Sequence, residues 1–223
     1  MPIESRNDRN DLFAPHWRRP VDLNHASRLV SHGPTVMVSA LHDGRRNLMS
    51  AAWSMPVEFM PPRIAVVLDK STWTRELAVA SGTLALMVPC RASADLAFTV
   101  GSIGGKALHD EGSDKFARYG IDSFPGPALG LPLATDCIAW LECRLLREPG
   151  VEERYDTFFC EAVSAFADTR VFSAGHWTLD DAPADLHTLH YIAAGSFAVA
   201  SNSIKASMLP TVSPAGDASR AGP

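Results

Sequence analysis

The 223-residue chain is 46% hydrophobic and 20% charged, with a formal net charge of −5 at pH 7. That length suits one large domain, and that apolar content excludes disorder of the whole chain. The acidic balance excludes a broad nucleic-acid surface and docking on anionic lipid, both of which need a basic excess. Cys90, Cys137, Cys143 and Cys160 show no C-x-x-C spacing and read as reduced core thiols of a cytosolic protein. The longest apolar runs, such as residues 64–68 and 84–88, are far too short to span a bilayer. Residues 1–10 are polar and lack the apolar stretch of a signal peptide. The expectation is a soluble, cytoplasmic protein.

Residues 1–24 read as a charged N-terminal arm with little core of its own, and residues 25–205 as one domain. Residues 35–41 are apolar and β-branched, with Val36 and Val38 on one face of a predicted strand. Asp43-Gly44 is a tight-hairpin signal, and residues 47–54 return as a strand of small side chains. Pro61-Pro62 breaks the chain, and residues 64–68 predict a short strand buried on both faces. Trp73, Leu77 and Ala80, at i, i+4 and i+7, predict a helix that Gly82 ends in the left-handed region. Residues 83–88 predict another buried strand, and residues 93–99 and 114–119 two short helices. Over 136–147 the chain alternates, with Cys137, Ala139, Leu141, Cys143 and Leu145 on one side and Trp140, Glu142 and Arg144 on the other. Strands at 158–166 and 195–200 complete the domain. The last segment, 206–223, is rich in Pro, Gly, Ser and Ala; it cannot bury enough apolar surface to offset its ordering entropy, so disorder is expected. Many strands with few, short helices predict a mainly β (α+β) fold, an antiparallel barrel with helical decoration rather than a doubly wound nucleotide fold.

Four stretches carry candidate chemistry. Asp69-Lys70-Ser71-Thr72-Trp73-Thr74-Arg75-Glu76 opens a predicted helix. Free N–H groups, the helix dipole, three hydroxyls and two cations there suit a phosphate dianion; the same residues also suit ordinary capping of a surface helix. Asn47-Leu48-Met49-Ser50-Ala51-Ala52-Trp53-Ser54 lets a flat ligand approach the backbone, with Trp53 as a wall. Alternatively that strand packs closely beneath another element, with Trp53 in the core. His109-Asp110 invites an acid–base role, but its polar surroundings equally describe a solvated loop leading into a helix. His187 and His190 follow Asp180, Asp181 and Asp185, yet lack H-E-x-x-H spacing and cysteine support, so no metal is assigned. There is no G-x-S-x-G elbow and no P-loop. Gly101-Ser102-Ile103-Gly104-Gly105 does not match G-x-G-x-x-G and reads as a flexible loop. No carboxylate pair has acid–base spacing, so no catalytic residue is named.

In order, Gly33-Pro34-Thr35-Val36, the segment from Asn47 to Val57, Pro61-Pro62, the segment from Asp69 to Leu77, Asp114-Lys115-Phe116, the segment from Tyr155 to Val163 and the segment from Leu189 to Phe197 resemble the flavin reductase-like family, whose fold is an FMN-binding split β-barrel. The resemblance covers roughly residues 25–200. It implies FMN as cofactor, with its phosphate held by Ser71, Thr72 and Thr74 and charge from Lys70 or Arg75. It implies that Asn47, Ser50, Ala51, Ala52 and Trp53 line the ring and ribityl chain, with Lys115, His190 and Phe197 nearby. Many relatives have Gly where Cys160 or Ala194 stands, and some carry a His where this chain has Tyr155.

The activity implied is NAD(P)H:flavin oxidoreduction, with NADH or NADPH as co-substrate and hydride passing from nicotinamide C4 to flavin N5. The cofactor is the electron sink, which accounts for the missing acid–base machinery. The resemblance also implies a homodimer with flavin near the interface, and a monooxygenase as a partner receiving reduced flavin. Two other readings stand beside it: a non-catalytic, flavoredoxin-like FMN electron-transfer protein, and a binding module for another flat ligand such as haem, with His190 or His109 as axial candidates.

Overall fold

The computed structural model describes residues 10–209. Its centre is one antiparallel sheet. In chain order the strands are β1 (Arg18–Pro20), β2 (Val36–His42), β3 (Arg45–Ala51), β4 (Ser54–Glu58), β5 (Arg63–Val67), β6 (Thr83–Pro89), β9 (Cys137–Leu146) and β10 (Thr157–Asp168). They pair in the order β3-β2-β6-β9-β10-β5-β4, with β1 also on β10. The remaining strands form two-stranded ribbons: β7 (Ser123–Pro125) with β8 (Pro132–Ala134), β11 (Phe172–Ser173) with β12 (His176–Trp177), and β13 (Leu189–Ala193) with β14 (Ser196–Val199). The helices that bear on the site are α1 (Trp73–Ser81), α2 (Ala94–Ser102), α3 (Gly105–Asp110), α4 (Lys115–Tyr119) and α5 (Pro149–Tyr155). The mainly β, open-barrel expectation is met.

Local chemistry accounts for the turns that matter. β2 and β3 run in register from Val36 opposite Ala51 to His42 opposite Arg45. Their two-residue connection puts Asp43 at φ +48° and Gly44 at φ +73°, the doubly left-handed pattern of a type I′ turn that Asp-Gly favours. Helix α1 ends at Gly82 with φ +71°.

The sheet is buried from both sides at its centre. One cluster joins Val36, Val38, Ile64, Val66, Leu84, Leu86, Leu141 and Phe158 to Trp73 and Leu77 of α1. A second, on the opposite face, joins Met37, Leu48, Met87 and Trp140 to Val100 of α2, Phe116 of α4 and the β7–β8 ribbon through Leu133. One expectation changes here. The strand at 64–68 is buried on one face: Ile64, Val66 and Leu68 are buried, whereas Ala65 and Val67 are partly open. The side of β9 that carries Trp140 and Glu142 is also covered, because the β7–β8 ribbon and its loop lie over it. Trp140 donates its Nε1–H to the Ala134 carbonyl at 2.8 Å. The Glu142 carboxylate accepts the N–H groups of Ala128 and Leu129 at 2.8 and 2.7 Å.

The N-terminal arm also contributes core where little was expected: Phe13 is 4% exposed within the first cluster, and β1 zips onto the end of β10. Residues 1–9, and residues 210–223 of the expected disordered tail, lie outside the described residues. Residues 201–209 are exposed and carry neither helix nor strand.

Candidate functional site

Two adjoining cavities of about 220 Å³ each lie between β3, the start of α1 and the stretch from α2 to α3. They share Gly101 and Ser102 at the end of α2. One end is polar. Asn47 and Met49 of β3, residues 71–74, residues 100–107 and Lys115 line it. The other end is walled by Phe98, Tyr191 and Phe197, with Thr35, Ser50 and Ala52 completing it. Among the described residues, no Asp or Glu lines either cavity.

The polar end holds three groups whose bonding is incomplete. Helix α1 opens there, and Thr72, the residue before its first turn, makes no side-chain capping bond. Its first-turn N–H groups therefore lack the acceptor that a cap usually provides. Asn47 is 2% exposed; its Nδ2 donates to Thr74 Oγ1 at 2.8 Å, but its buried Oδ1 has no partner. An orphaned acceptor of this kind costs about 1–3 kcal/mol. Lys115 is 2% exposed, and its ammonium donates to the carbonyls of Leu48 at 2.8 Å and Val100 at 2.6 Å. Two carbonyls leave one of three donors and the full charge uncompensated. Burial pushes Lys115 down from its ordinary 10.5 to about 8, so the ammonium persists at neutral pH.

The glycines beside β3 fix how close the walls come. A Cβ on Gly105 would lie 2.2 Å from Asn47 Oδ1, and one on Gly101 would lie 3.1 Å from Ser50 Cβ. Ser50 ties β3 to α2 through a 2.5 Å bond from its Oγ to the Ala97 carbonyl. The glycine stretch read as a flexible loop is in fact a wall, formed by the end of α2 and the start of α3. It was missed, although its signal was available: small residues at 101–105 match the small residues of β3.

The structure brings Asn47, Ser50, Ala52, Ser71, Thr72, Thr74, Lys115 and Phe197 to these cavities. Ser71 and Thr72 currently turn inward on Asp69: Ser71 Oγ donates to Asp69 Oδ1 at 2.6 Å and Thr72 Oγ1 to the Asp69 carbonyl at 2.7 Å. Ala51 instead packs in the core at 7% exposure, and Trp53 is 73% exposed, neither a cavity wall nor core. Lys70 and Arg75 do not line the cavities; both turn towards α5. Lys70 donates to the Glu153 carbonyl at 2.5 Å. Arg75 pairs with Asp156 Oδ1 at 2.5 Å and donates to the Glu152 carbonyl at 2.9 Å. His190 sits beside His32, ring centroids 5.6 Å apart, outside the cavity lining. His109 stacks on Trp73 at 4.8 Å, a packing contact. Among the described residues, no three His, Cys, Asp or Glu side chains group to hold a metal.

Comparison with known proteins agrees with this architecture. The chain is 50% identical over 190 residues to the uncharacterized protein YddH of Escherichia coli (strain K12), covering 84% of this chain and 97% of that one. It is 43% identical to the FMN-binding domain of a flavin reductases-like enzyme from Shewanella baltica OS155, with a TM-score of 0.80 over 85% of this chain and 97% of that one. Flavoredoxin of Desulfovibrio vulgaris (Miyazaki F), at 22% identity and a TM-score of 0.65 over 78% of this chain and 90% of that one, shares the fold. Residues 27–195 match the flavin reductase like domain, and the chain belongs to that family.

Proposed function

We propose that this chain binds FMN across the two cavities and acts as an NAD(P)H-dependent flavin reductase. The observation that carries the reading is the polar end: an uncapped helix start, a buried cation held by carbonyls alone and an orphaned amide oxygen meet where no carboxylate lines the wall. Those groups fit an anionic ligand that also carries hydrogen-bond donors. FMN has both, in its phosphate and in its ribityl hydroxyls, and its flat ring suits the aromatic-walled end.

When bound, FMN supplies the hydride acceptor, so the protein needs no acid or base of its own. On this reading the first-turn N–H groups of α1, with the hydroxyls of Thr72 and Ser71 turned from Asp69, hold the phosphate. Asn47 Oδ1 accepts a donor from the ligand. Lys115 supplies positive charge that favours the electron-rich reduced ring. Ser50, Ala52 and the glycine wall keep the walls close enough to exclude water.

A homodimer belongs to the same proposal. β4 is a sheet edge, and Trp53, Met55, Val57, Phe59 and Met60 along and beside it are 47–77% exposed. An apolar edge of this kind invites pairing with a second copy. Cytoplasmic location is proposed from the four free, buried cysteines, and a monooxygenase is the proposed recipient of reduced flavin.

The test is a visible spectrum of the purified protein, followed by NADH or NADPH with and without free FMN. Bleaching of bound flavin and turnover on added FMN support the reductase. Bound flavin that nicotinamide leaves oxidised supports the electron carrier instead. No flavin binding and no turnover with added FMN sink both.

A further inference from the structure

The two cations expected at the phosphate end, Lys70 and Arg75, are spent on α5. That leaves a charge deficit. A phosphate monoester carries about −1.5 to −2 at neutral pH, and the single Lys115 ammonium, already shared between two carbonyls, is assigned above to the reduced ring. One other cation lines the same cavity, Lys106, in the first turn of α3. Its Nζ lies 3.3 and 3.4 Å from the carboxylate oxygens of Glu76, in the first turn of α1. Both side chains are more than half exposed, at 64% and 51%. Such long, solvated pairs are weak and easily exchanged. Lys106 thus stands between the wall of the cavity and a loosely held surface carboxylate.

We infer that Lys106 is the second phosphate ligand, leaving Glu76 for the ligand's terminal phosphate, so that Glu76 competes with the ligand for one ammonium. This rests on the FMN reading above and adds a residue that sets selectivity for phosphorylated over unphosphorylated flavin. A long lysine stem permits the exchange without backbone movement, and a dianion outcompetes a screened carboxylate once it is also bound by the start of α1.

The experiment titrates wild-type protein, K106Q and E76Q with FMN and with riboflavin, following quenching of flavin fluorescence. K106Q is expected to weaken FMN about tenfold and leave riboflavin unchanged, because riboflavin lacks the phosphate. E76Q is expected to tighten FMN about two- to fivefold, again without effect on riboflavin. K106Q binding both flavins as the wild type does, or weakening both equally, overturns the assignment; the latter marks a wall residue that acts by packing. An E76Q variant that binds FMN no tighter overturns the competition. Wild-type protein that binds neither flavin defeats the FMN reading itself, an outcome distinct from the others.

Discussion

The two sides of α1 treat their cations differently. On the α5 side, Arg75 meets Asp156 and two backbone carbonyls, and Lys70 meets Glu153, so each charge has a partner of opposite sign. On the cavity side, Lys115 is buried with carbonyls alone, Asn47 Oδ1 has no partner and the start of α1 is uncapped. One side is complete without anything else; on the proposed reading a ligand completes the other. Polar groups that folding leaves under-satisfied are therefore a better guide to the site than the number of cations in a segment.

The sharpest way to break this contrast is to remove the cavity-side charge. Lys115→Met keeps most of the side-chain volume and loses the ammonium. On the proposed reading, reduction of bound flavin by NAD(P)H slows by about 100-fold, the scale of losing one preorganised stabilising group. Stability should fall by about 1 kcal/mol: the Leu48 and Val100 carbonyls lose a donor, partly offset because a buried charge without a carboxylate is itself costly. Rapid-mixing absorbance at the flavin band reads the rate, and an unchanged rate removes Lys115 from the site.

The opposite effect is expected across the helix. Arg75→Leu breaks a pair whose side chains are 13% and 25% exposed. It strands Asp156 and two carbonyl acceptors, for a loss of roughly 2 kcal/mol in urea unfolding. FMN affinity should change less than twofold. A variant that kept its stability and lost FMN would put Arg75 in the flavin site and erase the contrast.

Much of this was legible in the sequence. The hairpin at Asp43-Gly44, helix α1 with its end at Gly82 and the mainly β character follow from turn chemistry and periodicity, which are local. Asn47, Thr72, Thr74 and Lys115, named from the sequence, all line the cavity. What failed was long-range. Nothing near Lys70 and Arg75 reveals that their partners stand 83 and 81 residues away, on α5 and just past its end. Likewise the alternation across β9 does not reveal the ribbon that covers Trp140, because that ribbon is formed by residues whose own pattern is too short to read. The glycine wall at 101–105 was discarded because it matched no phosphate motif, although its true partner is β3.

Acid–base titration sharpens the contrast at a smaller scale. An anion selects the ammonium form of Lys115, which burial pushes down to about 8 in the free protein. Well below pH 8 that form is already present, so FMN affinity should fall only about twofold from pH 7 to 8. Above it the protein must take up a proton to bind, and affinity should fall towards tenfold per pH unit. The phosphate's own titration, near 6, lies outside this window. In Lys115→Met the fall should vanish, and fluorescence titrations from pH 7 to 9.5 check both profiles.

The smallest expected effect concerns the hairpin that carries Tyr191 and Phe197 to the aromatic end. Its turn puts Ala194 at φ +48° and Gly195 at φ +81°. An L-residue with a Cβ in the left-handed region carries strain of about 1–2 kcal/mol relative to glycine, partly offset because glycine makes the unfolded chain more flexible. Ala194→Gly should therefore stabilise the protein by about 0.5 kcal/mol. FMN affinity should stay within twofold, since the strain sits in the scaffold and Ala194 lines neither cavity. A shift in the unfolding midpoint with unaltered FMN binding would separate scaffold strain from the under-satisfied polar groups that await a ligand. A large change in binding would mean that the turn's conformation is coupled to the site, and that the aromatic wall is set by the ligand as well as by the fold.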